Sequence, residues 1–187
     1  MNPSREPLDA QTARMGPLAR LPVFLSLEGK RAVLAGGSPA AAWKAELLSA
    51  SGARVEVYAA DVCEELAQLA ADPPRGAIVI NRCPWSADIL ENAAVAIGAF
   101  EDNEAAAAFA AAARAAGVPV NVIDRPAFCD FAFGAIVNRS PLVIGISTDG
   151  AAPVFAQAIR AKVEALLPMG FAAWAKAAAA WRAALQR

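Results

Sequence analysis

The chain has 187 residues, 57% of them hydrophobic with much of that alanine, and its 17 basic and 18 acidic side chains leave a formal charge of −1. That length can bury a sizeable core, and the alanine content favours helices and an α/β chain over an all-β one. A near-neutral balance without a basic stripe excludes a general nucleic-acid surface. No apolar run reaches bilayer length and no signal-peptide pattern opens the chain, which predicts a cytoplasmic protein with no membrane partner.

Histidine is absent, so acid–base work falls to carboxylates, cysteine, tyrosine or lysine. Cys63, Cys83 and Cys129 are odd in number and lack CxxC spacing. They predict core residues in a reducing compartment and no structural metal site.

In chain order, residues 1–20 are polar, proline-containing and aperiodic, and predict a disordered tail in which Met15 is an alternative start. Leu21 to Leu27 is apolar, and Glu28-Gly29-Lys30 turns the chain into Arg31. From Arg31 to Asp61 the pattern is strand, glycine turn, helix, strand. Ala32, Val33 and Leu34 are a buried-strand run broken by Gly36-Gly37. Pro39 opens a helix that Ser51-Gly52 closes, and Val55 and Val57 alternate with Arg54 and Glu56. Such a βαβ unit of about thirty residues has the size of a dinucleotide-binding unit.

Val62, Leu66 and Leu69 then take helical spacing up to Pro73-Pro74, and Ala77 to Ile80 reads as a buried strand. Ile89-Leu90 reads as a short helical turn. Ala93 to Phe100 predicts a strand, Glu104 to Ala116 a helix capped by the polar residues before it, and Val120 to Ile123 a strand ending in Asp124-Arg125-Pro126. A carboxylate thus stands at the carboxyl end of a strand, where open α/β sheets bind ligands.

Beyond Pro126 the rhythm changes. Phe131 to Val137 and Leu142 to Ser147 are strand-like around Asn138-Arg139-Ser140-Pro141, a hairpin-type connection. A helix from Pro153 to Leu167 puts Phe155, Ile159, Val163 and Leu166 on one face. The last helix lines up Phe171, Trp174, Ala178, Trp181 and Leu185, a stripe suited to a core or a subunit contact, and nothing closes it before Arg187. A longer parent chain is the expectation.

LPVFLSLEGKRAVLAGG from Leu21, NVID from Asn121 and NRSPLVIGISTDGAAPVFAQAIRAKVEALLP from Asn138, in that order, resemble the siroheme synthase N-terminal family. Its members are NAD-dependent precorrin-2 dehydrogenases, many of them also sirohydrochlorin ferrochelatases. The resemblance implies an NAD-binding Rossmann domain over 21–125, a dimerisation region over 126–150 and a small helical domain over 151–187. It implies a homodimer whose substrates are the tetrapyrroles precorrin-2 and sirohydrochlorin and, for chelation, ferrous ion. In some bacteria the unit is fused to a methyltransferase, which is missing here.

By that resemblance Gly36, Gly37, Ser38, Pro39 and Ala40 lie at the cofactor pyrophosphate. Read from the residues alone, the glycines serve equally as an ordinary strand-to-helix turn. Ser38 stands where the family has a third glycine. Ala60 and Asp61 fall beside the adenosine ribose, Asp61 as a 2′-OH acceptor favouring NAD over NADP or, on spacing alone, as a helix N-cap. Ala99, Phe100 and Glu101 occupy the nicotinamide-end loop, with Phe100 replacing a threonine and Glu101 alternatively a helix cap.

Asp124 matches the aspartate used in both dehydrogenation and chelation, as general base or proton relay. Its bland reading is a turn residue before Pro126. Arg125 would hold Asp124 ionised or bind a substrate carboxylate, and Arg139, Thr148 and Arg160 fall in the substrate region. Gly134 and Asp149 depart from the family's proline and glycine. The enzyme reading has two alternatives: a homologue with one of the two activities, and a non-catalytic NAD- or tetrapyrrole-binding protein.

Overall fold

The structure is a computed structural model that describes residues 16–150 and 152–185. Most of the predicted tail, and the last two residues, lie outside the described part. Two compact units are formed, one by Phe24–Phe133 and the other by residues from Gly134 onward together with 16–23.

The first unit is a five-stranded parallel sheet in the order β3-β2-β1-β4-β5. Its strands are β1 (Arg31–Ala35), β2 (Arg54–Tyr58), β3 (Ala77–Asn81), β4 (Val95–Gly98) and β5 (Val120–Val122). Helices α1 (Pro39–Ala50), α2 (Glu64–Ala71) and α3 (Asn103–Ala115) connect them, with a 3-10 turn at Ala87–Leu90. β1 is central because it can be buried on both faces. Ala32, Val33, Leu34 and Ala35 are all fully buried.

The alternation of a strand decides which side chain enters which core layer. Ala32 and Leu34 join Val55, Val57, Ile97 and the α1 residues Ala41, Ala45 and Leu48 in one layer. Val33 and Ala35 join Ala96, Val120, Val122 and Phe109 of α3 in the other. β2 shows the expected alternation, with Val55 and Val57 buried and Arg54 exposed. Glu56, on the opposite face, is satisfied by Arg31, whose Nε donates to it at 2.7 Å, and by the Tyr58 hydroxyl at 3.2 Å.

Element bounds differ from expectation where packing, rather than composition, ends an element. The apolar run Ala93 to Phe100 is a strand only over Val95–Gly98, since β4 pairs only as far as β1 and β5 extend beside it. The segment Leu21 to Leu27 takes no regular structure. Leu21, Val23, Phe24 and Leu25 are exposed and only Leu27 enters the core.

In the second unit β6 (Ala135–Arg139) and β7 (Leu142–Ile146) form the expected antiparallel hairpin, and α4 (Pro153–Leu166) packs on it. Gly134 replaces the family's proline at a point where a Cβ would stand 2.3 Å from the Ile146 carbonyl oxygen. Asp149 adopts a left-handed backbone, φ 51°, which aspartate tolerates better than most residues, and its carboxylate pairs with Arg20. α5 (Phe171–Leu185) keeps Trp174 and Trp181 exposed, and Phe155 and Leu166 of α4 are exposed as well. The predicted stripe is therefore not core within this chain. No described helix is long and apolar enough to cross a membrane.

Candidate functional site at the carboxyl edge of the sheet

The strand order reverses direction at β1 and β4. The connection from β1 leaves towards β2 while that from β4 leaves towards β5, which opens a crevice between their carboxyl ends. Gly36 follows β1 with φ 122°, and a Cβ there would lie 2.8 Å from both the Cβ and the carbonyl oxygen of Ala99 after β4. A Cβ on Gly37 would lie 2.1 Å from the Asp61 carbonyl oxygen. Glycine is thus demanded at both positions by the close approach of neighbouring loops. The same contacts bring Gly36, Gly37, Asp61 and Ala99 together.

Ser38 caps α1. Its Oγ accepts from the Ala41 N–H at 3.3 Å, and Ser38, Pro39 and Ala40 are exposed at the helix start. A hydroxyl that accepts from the backbone still has its proton to donate, so the serine fits an anion at this helix N-terminus. Ala60 and Asp61 are exposed beyond β2, and the residue that caps α2 is Cys63. Of the two readings of Asp61, the cap is therefore not the one realised.

Glu101 does not cap α3 either. Asp102 does, its carboxylate accepting from the Ala105 N–H at 2.8 Å. The Glu101 side chain is exposed and its carbonyl oxygen is held by Arg125. Phe100 turns its ring away from the loop surface into an aromatic cluster, with ring centres 5.3 Å from Phe109 and 6.3 Å from Trp85.

Asp124 is exposed and sits at φ 58°, left-handed for a non-glycine residue. Conformations of this kind cost about 1–3 kcal/mol and concentrate at functional sites. The turn is braced on both sides. Ile123 N–H donates to the Gly98 carbonyl at 2.8 Å, Arg125 N–H to the Val122 carbonyl at 3.1 Å, and Val122 N–H to Cys129 Sγ at 3.2 Å. Asn121 Nδ2 donates to the Phe131 carbonyl at 2.8 Å and to Cys129 Sγ at 3.4 Å. Asp124 is consequently held beside the end of β4.

Arg125 is engaged elsewhere than predicted. Its guanidinium donates to the Phe100 carbonyl at 3.1 Å, the Glu101 carbonyl and the Asn103 side chain. It clamps the β4–α3 loop.

Arg139, Thr148 and Arg160 belong to the second unit. Arg139 Nε donates to the Leu167 carbonyl at 2.6 Å, closing the end of α4, and Arg160 bridges Gln157 and Glu164 along that helix. Thr148 donates to the Ala152 carbonyl at 3.4 Å.

The sequence assigns no site role to Lys44, to Cys129, read there only as a core residue, or to Asn121, read there only as part of a family block. Lys44 had a signal of its own: it lies three residues after Ala41 and four before Leu48, on the buried stripe of α1.

Residues 23–135 match a family model described as "Putative NAD(P)-binding", and residues 139–166 match one described as "Sirohaem biosynthesis protein central". The chain belongs to the siroheme synthase N-terminal family. Siroheme synthase of Ectopseudomonas mendocina is 43% identical over 148 residues, covering 79% of this chain and 31% of that protein. The siroheme synthase of Pseudomonas entomophila is 43% identical over 162 residues, covering 87% and 34%. That of Psychrobacter cryohalolentis is 38% identical, covering 86% and 30%. The chain thus spans about a third of the length of these relatives. A solved structure titled SirC, precorrin-2 dehydrogenase, shares the fold with a TM-score of 0.63 at 20% identity, covering 84% of this chain and 76% of that one.

Proposed function

We propose that the chain binds NAD in the crevice between β1 and β4 and oxidises precorrin-2 to sirohydrochlorin in the cytoplasm, with insertion of ferrous iron as a second activity. The observation that carries this reading is the convergence of Gly36–Ser38, Asp61, Ala99 and Asp124 at one sheet edge, in a chain of this family.

The residues present fit the cofactor. Two glycines leave the backbone bare where a pyrophosphate would approach, the exposed start of α1 favours an anion, and the exposed Asp61 carboxylate suits a ribose 2′-OH and repels a 2′-phosphate. NAD supplies a hydride acceptor. Oxidation of the tetrapyrrole releases one hydride and one proton, and the chain's own task is to take that proton. Asp124, exposed at the crevice and braced by β4, is the residue for it. In chelation the macrocycle supplies the iron's ligands, and the same carboxylate accepts protons from the pyrrole nitrogens.

The domain reading of this proposal is 21–125 for NAD binding, 126–150 for dimerisation and 151–187 for a helical domain, whereas the compact units divide after Phe133. The partner is a second copy of the chain, an arrangement that would cover the exposed Phe155, Leu166, Trp174 and Trp181. Arg139, Thr148 and Arg160 would then face the substrate carboxylates only by exchanging their present partners.

Incubation with precorrin-2 and NAD should yield the sirohydrochlorin spectrum and NADH. Asp124→Asn should lower kcat by about 10²-fold or more while NAD still binds. Wild-type protein that binds NAD without turnover would favour a second reading, a non-catalytic binder. The observation behind that second reading is Phe100, which withdraws a threonine hydroxyl from the nicotinamide end and buries its ring instead.

A further inference from the structure

The in-and-out alternation of β4 continues into the loop that leaves it. Ala96 belongs to the core layer built around Phe109 of α3, and Phe100 packs against that same layer. Ile97 belongs to the opposite layer, and Ala99 packs against it. The loop therefore sends an aromatic ring to one side of the sheet and a methyl group to the other. That methyl is what a Cβ on Gly36 would meet at 2.8 Å, so the place of Ala99 sets how closely the β4–α3 loop stands to the glycine turn after β1.

Gly98, between Ala96 and Phe100, is buried. A Cβ there would lie 2.6 Å and 3.1 Å from two carbons of the Phe100 ring and 2.9 Å from the Phe109 ring. The Phe100 ring thus takes the room that a side chain on Gly98 would need. Two other rings grip it: Phe109, fully buried, with centres 5.3 Å apart, and Trp85, edge-on at 6.3 Å. Trp85 and Phe109 meet each other edge to face at 5.1 Å, so the three rings form one closed contact. Pairs in these arrangements attract beyond the area they bury.

The backbone of the same stretch is tied from the neighbouring strands. The Gly98 carbonyl accepts from the Ile123 N–H, and the Ala99 N–H donates to the Ala35 carbonyl, both at 2.8 Å. The Phe100 ring is the tie into the hydrophobic core. A loop ordered in advance costs less to bring to a ligand than one ordered on binding.

We propose that Phe100 and Gly98 are a matched pair of positioning residues for the cofactor. The ring fills the space that Gly98 leaves, anchors the β4–α3 loop and holds Ala99 against Gly36 before NAD arrives. This deepens, and rests on, the reading of the crevice as the NAD site. Phe100 then acts through Ala99 and the loop backbone, with its ring on the α3 side of the sheet.

The test is a double-mutant cycle on NAD affinity, read by calorimetry. Phe100→Leu should weaken NAD binding roughly three- to ten-fold, because leucine keeps the apolar contact and loses the ring pairs. Gly98→Ala should weaken it about ten-fold or more, since the added methyl displaces the ring. In the Phe100→Leu background the same alanine should cost about two-fold or less, because a leucine can swing aside. With precorrin-2, the loss should appear in KM for NAD more than in kcat.

An alanine penalty of equal size in both backgrounds overturns the proposal, as does NAD affinity unchanged by Gly98→Ala. Lower stability in urea with NAD affinity intact would show packing alone and overturn it too. A second arm does not depend on Gly98→Ala folding: fluorine NMR of wild-type protein labelled at phenylalanine, with Phe100→Leu identifying the Phe100 signal. One Phe100 resonance is expected with and without NAD. Two resonances that merge when NAD is added would show a loop ordered by the cofactor, which overturns the anchor. Wild-type protein that does not bind NAD removes the crevice reading and this role together, whereas binding indifferent to the pair removes this role alone.

Discussion

At the scale of single residues, the site is assembled by backbone groups and by side chains whose partners lie far away in sequence. Arg125 illustrates this best. Beside Asp124 in sequence it reads as a counter-ion or a substrate anchor, yet its three donors go to Phe100, Glu101 and Asn103. Its expected role is to fix the loop that carries Ala99 and Phe100. Arg125→Ala should therefore weaken NAD binding about ten-fold, read by calorimetry or fluorescence quenching, because two carbonyls and an amide lose their charged donor. Arg125→Lys should recover little of it, since one ammonium cannot reproduce a fork that reaches three acceptors. Full rescue by lysine would show that charge alone matters there.

The residues that were legible without coordinates are those whose chemistry is local. Gly36 and Gly37 follow from the break between a strand and a helix, and Asp124 from its place at a strand end. The identity of the caps was not legible. Asp61 and Glu101 have the right side chains for capping α2 and α3, but Cys63 and Asp102 hold those positions. A shift of one or two residues in where a helix begins decides it, and that shift is set by how the helix meets the sheet.

At the scale of elements, β1 shows what holds the unit together. Each fully buried side chain such as Leu34 contributes about 1.5–3 kcal/mol of burial, and the strand has no exposed face to tune. Its one charged residue, Arg31, ties three elements together by donating to Glu56 of β2 and to the carbonyls of Ile89 and Glu91. Burial pushes the Glu56 carboxyl up, but the hydrogen bond and charge of Arg31, with Tyr58 and Arg54, outweigh it and hold it below the usual carboxylate range.

The sign follows from linkage. A depressed folded-state value means stability that is complete above the unfolded value of about 4.3 and is lost as pH falls through the folded one. Glu56→Gln should cost about 1–3 kcal/mol at pH 7 in urea unfolding. The difference from wild type should shrink below about pH 4 as the wild-type carboxyl takes up its proton. A gap that stays constant down to pH 3 would show that the ion pair adds nothing.

At the scale of the whole molecule, the apolar surface of the second unit asks for a cover. Trp174 is 76% exposed and Trp181 65%, which a chain acting alone would not favour. If the second copy proposed above covers them, sedimentation should give twice 19.3 kDa, and Trp174→Glu should shift the population towards the single chain. A wild-type chain that sediments at 19.3 kDa at micromolar concentration would remove the dimer.

By itself the sequence determined the α/β class, the βαβ unit from Arg31 to Asp61, the hairpin after Pro126 and the family, because each rests on short-range periodicity, turn chemistry or an ordered set of blocks. Only the tertiary structure decided that Lys44 is buried with its ammonium over the Trp43 and Phe133 rings, that Arg125 clamps a neighbouring loop and that Phe100 turns inward. The reason is physical. A side chain's partners across a parallel sheet come from crossovers tens of residues apart, and no local pattern records which loop will close over which helix.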